Sequence, residues 1–499
     1  MTTFIIGLLI LAVGSTVYGK VCENIMKPDE RKTPAFTKTD GVDFVPMKTW
    51  KNSMINLLNI AGTGPILGPI QGILFGPIAF ILIPVGNILG GSLHDYFSGM
   101  LSLRNGGMQM PDLVKKYTNN VVFNLYNVFV CLLMLLVGAV FIYTPGDIAS
   151  TQLFGFSGAA SSVSTWVIYG AIFIYYLCAT MFPIDKLIGR VYPIFGAILL
   201  FSAVGIFIGL FVNGYELMEL TSETVKYVHP FGQKLIPMFF ITVACGIVSG
   251  FHSTQTAIIA RNVTSEKQGR TTFYNMMVLE GFIAMIWAAA AMGVMQRGIL
   301  VGERAVDMEF LFRSPAAIIG VVARDMLGSI GGLLAIVGVI VLPITSGDTA
   351  LRSLRLMIAD FIHTDQRQVQ NRLYISVPIF ALVAAILVWA KISPGGFNTL
   401  WRYFAWSNQT IAIFAFAIIT IYLMGKGHKL APFMSLLPGT WYAFITFSFI
   451  VNAPIGFGQS LNTAYICGVI FAALYAILTY KQGLKLYANK TPLEAVPVM

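Results

Sequence analysis

The feature that most constrains this chain is its division into long apolar runs of roughly 17 to 27 residues, separated by short polar loops. At a rise of about 1.5 Å per residue, a run of about 20 residues spans the hydrocarbon of a bilayer as a helix. The runs do not alternate at period two, so they predict membrane helices and not barrel strands. Composition agrees, with 56% hydrophobic and 11% charged residues and a mean hydropathy of +0.76. The expected fold class is an all-α polytopic membrane protein with about thirteen transmembrane helices. These lie near residues 3–19, 53–72, 77–103, 121–143, 164–183, 191–212, 236–260, 273–296, 330–350, 373–390, 398–424, 437–453 and 463–480. The run from Thr3 to Tyr18 lacks a basic leader region and is expected to stay as the first span.

Loop charge sets the expected orientation. When alternate loops are assigned to opposite sides, 24 of the 32 Lys and Arg residues fall on one side. The positive-inside rule then places the C-terminus in the cytoplasm and the N-terminus outside. The net charge of +10 is therefore a topology signal, and no nucleic-acid partner is implied. Residues 20–52 are expected along the cytoplasmic surface, 437–480 as two peripheral helices, and 481–499 as a cytoplasmic tail. The piece SPAAIIGVV between Arg297 and Ser329 is too short to cross and reads as an external gate helix. The loops leave no room for a soluble catalytic domain. Five cysteines form no CxxC pattern, and the five histidines are scattered without HExxH, so neither an enzyme nor a cofactor is expected.

Two spans are interrupted at their middles. Asn59-Ile-Ala-Gly-Thr-Gly-Pro65-Ile-Leu-Gly-Pro69 breaks the second span, and Cys245-Gly-Ile-Val-Ser-Gly250-Phe-His-Ser-Thr-Gln-Thr256 breaks the seventh. Broken backbone in hydrocarbon is tolerated only beside a cavity or buried in protein. The breaks lie five spans apart, an odd number, so the two helices cross in opposite directions. That spacing predicts a five-plus-five inverted repeat with halves at 53–212 and 236–424 and a substrate site where the breaks meet. Close packing of small residues is the competing reading of each break. A second half-helix offers N–H groups and partial positive charge to a carboxylate, with Pro65 at its first turn and Thr63 or Gly64 as cap.

At these same residues the chain resembles the carbon starvation protein A family. The resemblance rests on IAGTGPILGP, HDYFSGMLSLRNGG (His94 to Gly107), GIVSGFHSTQTAIIAR (Gly246 to Arg261), PITSGDTALRSLRLMIAD (Pro343 to Asp360) and WRYFAWSNQT (Trp401 to Thr410). It implies a LeuT/APC-like core and an importer of pyruvate or short peptides in the bacterial inner membrane, proton-coupled and made during nutrient limitation. Thr63 stands where the family usually has alanine, and Ala257 where it usually has proline.

Asn59, Gly62, Thr63, Gly64 and Pro65 from the first break are the expected substrate-binding residues. His252, Ser253, Thr254, Gln255 and Thr256 from the second break join them, with Asn408. Ionisable groups inside spans are costly and mark functional positions, so Asp95, His252, Glu280 and Asp348 are the expected proton-coupling or gating groups. Asp95 has a second reading, a salt bridge to Arg104, and Asp348 has one with Arg352 a turn away. Thr345 and Ser346 could hold Na+ with their hydroxyls, or bond back to their own helix. Trp401, Tyr403, Phe404 and Trp406 read as an interfacial aromatic belt. A secondary transporter fits this set, with a small organic solute and H+ or Na+ as partners in a lipid bilayer. A nutrient sensor or a channel without coupled transport is the alternative.

Overall fold

The computed structural model describes residues 1–41, 43–181, 184–301, 304–366 and 368–495, and of 184–193 the backbone alone. The side chains of the loop cations Lys186 and Arg190, the whole of Arg367, the end of the fifth expected span at 182–183, and the last four tail residues lie outside the described residues.

The chain folds into helices α1 (Thr2–Met26), α2 (Pro34–Thr37), α3 (Thr49–Ile60), α4 (Gly64–Gly72), α5 (Ala79–Gly86), α6 (Leu93–Arg104), α7 (Met110–Tyr117), α8 (Asn120–Ile148), α9 (Val163–Met181) and α10 (Ile184–Val212). The second half contributes α11 (Leu235–Thr242), α12 (Gly250–Ala260), α13 (Asn275–Arg297), α14 (Met308–Arg313), α15 (Pro315–Phe361), α16 (Val369–Ile392), α17 (Gly396–Gly425), α18 (Phe433–Asn452) and α19 (Leu461–Ala488). One two-stranded ribbon, Leu300–Val301 with Arg304–Ala305, interrupts the helices.

Ten of the described helices are long and apolar enough to cross a membrane, and eleven if the bent pair α3 and α4 counts as one span. The expected thirteen included 77 to 103 and 236 to 260. The second is divided into pieces of 8 and 11 residues, each too short to cross alone, whereas the first stays one helical run from Ala79 to Arg104 that carries the polar Asn87, His94 and Asp95. Between α5 and α6 the helix continues through a wider π turn at Asn87–Ser92. Helix α15 extends well beyond its expected span and bends at Gly328, whose φ of 68° a side chain would strain. The SPAAIIGVV piece is the helical stretch before that bend.

Burial sorts the helices into layers. In α13 and α17, 89% of the apolar window is buried, against 22% in α1 and 17% in α19. The outer helices turn residues such as Leu9, Val13, Ile466 and Ile470 outward, an apolar surface suited to lipid. The two broken helices sit at the centre. Helix α3 packs on α12, and α4 packs on α11, so the first half of one lies beside the second half of the other. The pair therefore runs antiparallel, with breaks at one level.

One end of the bundle is closed by an ionic network. Arg104 at the end of α6 holds Glu266 at 2.9 Å and Glu494 at 3.2 Å. Arg31 reaches the same two carboxylates at 3.3 and 2.9 Å, and Lys426 reaches Glu494 at 2.6 Å. The tail is laid across this end: Tyr117 Oη donates to the Leu493 carbonyl and the Ala495 amide to the Arg104 carbonyl.

Candidate functional site

The first half-helix of each broken span ends because its sequence cannot continue. Gly62 follows Ala61, whose ψ of 82° is not helical, and the chain bends by 51° before α4 starts at Gly64. Gly246, with φ of 91°, turns the chain between α11 and α12. Glycine is needed for contact as well as for backbone freedom. A Cβ on Gly64 would overlap Cys245, and one on Gly250 would overlap the Asn408 carbonyl. The breaks thus touch each other directly.

Between them lies a fully buried chain of ionisable groups. His94 Nδ1 is 2.8 Å from Asp95 Oδ1, and His252 Nδ1 is 2.9 Å from Asp95 Oδ2. His252 Nε2 lies 3.4 Å from Glu280 Oε2. His94, Asp95, His252 and Glu280 are each 0% exposed, so α6, α12 and α13 meet at one ionisable cluster. Asp95 does not pair with Arg104. Nine residues on one helix put the two on opposite faces about 14 Å apart, and Arg104 belongs to the network at the bundle end.

Several polar atoms here have no hydrogen-bond partner despite complete burial: Thr63 Oγ1, Gln255 Oε1, His252 Nε2 and both Glu280 carboxylate oxygens. Buried polar atoms are paired in most proteins, so such a group marks a place for a proton, water or ligand. Cys245, His252 and Glu280 also present one donor atom each within 4.8 Å of one another, a set able to hold a transition metal. The Asp95 contact on the other His252 nitrogen suits either use, because it fixes the ring.

Other expected residues are engaged locally. Ser253, Thr254 and Thr256 bond back to the carbonyls of Gly250, Phe251 and Ser253. Asn408 accepts from the Phe251 amide at 2.7 Å and from Ser249 Oγ at 3.1 Å, so it caps α12 from outside. One of the N–H groups expected to face a substrate is thereby already occupied. Thr63 takes the cap position of α4, but its side chain makes no cap bond, and Pro65 sits in the first turn. Gly62 faces the Phe141 ring, and Asn59 Oδ1 receives Thr349 Oγ1 at 3.4 Å.

Asp348 pairs with Arg352 at 3.4 Å, away from the histidine cluster. Thr345 bonds back to Leu342, and Ser346 donates to the Leu58 carbonyl at 2.8 Å, tying α15 to the first broken helix. The aromatic belt is corrected in part. Trp401 and Phe404 are buried because α17 is a central helix, while Tyr403 and Trp406 bond to the carbonyls of Ile455 and Thr446. Sequence reasoning missed Cys245 as a contact of Gly64, and the placing of Arg402 on the wall of a cavity. Arg402 enters only the count of cations on the outer side, although it stands inside the WRYFAWSNQT motif.

Solved structures share this architecture. A mutant of the manganese transporter of Eremococcus coleocola superposes with a TM-score of 0.60 at 11% identity, covering 88% of this chain and 94% of its own. MhsT in complex with L-phenylalanine superposes with a TM-score of 0.56 at 13% identity, covering 88% and 99%. By fold the chain thus shares the LeuT-type helical architecture of these two proteins. The family model "Carbon starvation protein CstA" matches residues 1–175, 148–308 and 302–449, and the chain belongs to that family. An "Uncharacterized membrane protein" of Haemophilus influenzae is 39% identical over 58% of this chain and 89% of its own. "Peptide transporter CstA" of Helicobacter pylori is 24% identical over 88% and 80%. "Pyruvate/proton symporter BtsT" of Escherichia coli is 22% identical over 56% and 47%. The apolar helices and the bacterial relatives make this a multi-pass inner-membrane protein.

Proposed function

We propose that this protein is a secondary active importer of a small carboxylate nutrient, pyruvate or a short peptide, driven by protons and working by alternating access. The observation that carries this reading is the buried His94–Asp95–His252–Glu280 chain set against two touching helix breaks. Burying four ionisable groups is costly, and their mutual contacts leave His252 Nε2 and Glu280 available to a proton. The substrate sits between Asn59–Pro65 and His252–Thr256, where Thr63 Oγ1 and Gln255 Oε1 wait for partners. Asn408 shapes the second break. Asp348 is a gating residue through Arg352.

The repeat halves are 53–212 and 236–424, and the end closed by Arg31, Arg104 and Glu494 faces the cytoplasm, as loop charge requires. Burial at the breaks fits an occluded state. Uptake of labelled pyruvate and of a dipeptide into proteoliposomes tests this reading. Acid outside should accelerate uptake. Sodium-driven uptake indifferent to pH would replace the proton with Na+ at Thr345 and Ser346. Binding without flux would support the nutrient-sensor alternative, and rapid uncoupled flux a channel.

A further inference from the structure

A cavity of about 100 Å³ opens beside the breaks, lined among others by Gln71, Phe75, Gln233, Asn398, Trp401 and Arg402. A liquid water occupies about 30 Å³, so the space suits a few waters or one small polar molecule. Gln71 and Phe75 end the helix that follows the first break, and Ile241 and Thr242 on its wall end the helix that precedes the second. Arg402 lies on α17 six residues before Asn408, about 9 Å along the helix from the cap on α12. The chain from Phe75 to Arg104 runs roughly 40 Å along α5 and α6, so the cavity is at the end opposite the Arg31–Arg104–Glu494 network.

Its chemistry is one-sided. The lining holds no Asp or Glu, and among the described residues no carboxylate lies within 4.0 Å of the half-buried Arg402 guanidinium. The Trp401 indole, 9% exposed, has an N–H without a partner. Burial pushes His229 on the same wall down to about 4, and its Nδ1 accepts from the Phe231 amide. It is therefore neutral near pH 7, leaving Arg402 as the cavity's fixed charge. An arginine fork, an indole N–H and the NH2 groups of three side-chain amides can donate, and an ionised carboxylate is an acceptor only.

We propose that this cavity is a docking site for the carboxylate of a small monoanion or zwitterion, held by Arg402 and Trp401 before the solute reaches the breaks. A single positive charge beside a small space selects one carboxylate over a dianion. The site deepens the importer reading, and its role in uptake rests on that reading, whereas binding can be measured without it.

The test uses the purified full-length protein in nanodiscs, titrated with pyruvate, with L-alanyl-L-alanine and with the neutral analogue pyruvamide, reading tryptophan fluorescence. Pyruvate or the dipeptide should give a saturable change that Trp401→Phe removes and pyruvamide does not reproduce. Arg402→Gln should weaken the response roughly ten- to hundred-fold, with Arg402→Lys in between. In proteoliposomes, Arg402→Gln should raise KM by a similar factor and change kcat little. His252→Ala should abolish uptake and keep the fluorescence response. No response in the native protein, an equal response to pyruvamide or chloride, or an unchanged affinity in Arg402→Gln would overturn the site. Binding through Arg402 without any uptake leaves the site standing and removes the importer reading alone.

Discussion

Gly64 shows how much a single atom decides at the breaks. Alanine there would drive its Cβ into Cys245, and overpacking a buried contact costs about 1 to 3 kcal/mol. Gly64→Ala should therefore lower the thermal midpoint, and adding Cys245→Gly should restore much of it; unchanged stability in the single variant would show that the breaks do not touch. Asp95 is the other pivotal residue, because each of its oxygens holds a different histidine. Asp95→Asn keeps the shape and removes the charge. We expect it to leave the protein in the membrane and to flatten the pH dependence of uptake, and a native-like pH profile would take Asp95 out of the proton path.

Among the elements, α12 and the tail depend most on partners distant in sequence. Helix α12 is capped by Asn408 from α17, so Asn408→Ala should cost about 0.5 to 2 kcal/mol and speed hydrogen exchange at Gly250–Ser253. Slowed or unaltered exchange there would assign Asn408 to the substrate instead. In the tail, burial alone would raise the Glu494 carboxyl, but hydrogen bonds from Lys426, Tyr422 and Arg31 and the charge of Arg104 push it down to about 2. A depressed acid supports docking fully above the ordinary carboxylate range near pH 4, and that support is lost as pH falls towards 2. Carboxypeptidase digestion should accordingly spare the native tail at pH 7 and remove residues through Leu493 quickly in Glu494→Gln. Equal digestion of both would mean the ionic contacts do not hold the tail.

For the whole molecule, the driving force reports ion and substrate together. One net charge moving inward gains about 2.3 kcal/mol per 100 mV, roughly a fifty-fold accumulation. A monoanion entering with one proton moves no net charge and should respond to a pH gradient alone. A zwitterionic peptide with one proton should respond both to that gradient and to a potassium diffusion potential. Uptake that follows only a sodium gradient would contradict the proton assignment.

Much of this was legible along the chain because bilayer thickness and backbone hydrogen bonding leave few choices. Apolar length pointed to most of the helices, and the Gly-Pro run at 61–65 and the glycines and polar residues at 246–253 pointed to both breaks, since a backbone that cannot stay helical is visible residue by residue. Asp95, His252 and Glu280 stood out singly, because a lone charge in an apolar run is conspicuous. Their assembly was not legible. His252 meets Asp95 across 157 positions of sequence, and one-dimensional spacing cannot say which face of α6 turns toward α12. The same holds for Arg104, which local spacing offered to Asp95 and packing gave to Glu266 and Glu494. Arg402 counted only as one of the eight cations outside the positive side. Only the central position of α17 turned Trp401 inward and left that guanidinium beside a cavity without a carboxylate. Local backbone and solvent constraints act on neighbours in the chain and so are written in its order, whereas contacts between helices depend on how whole faces fit, which the tertiary structure alone decides.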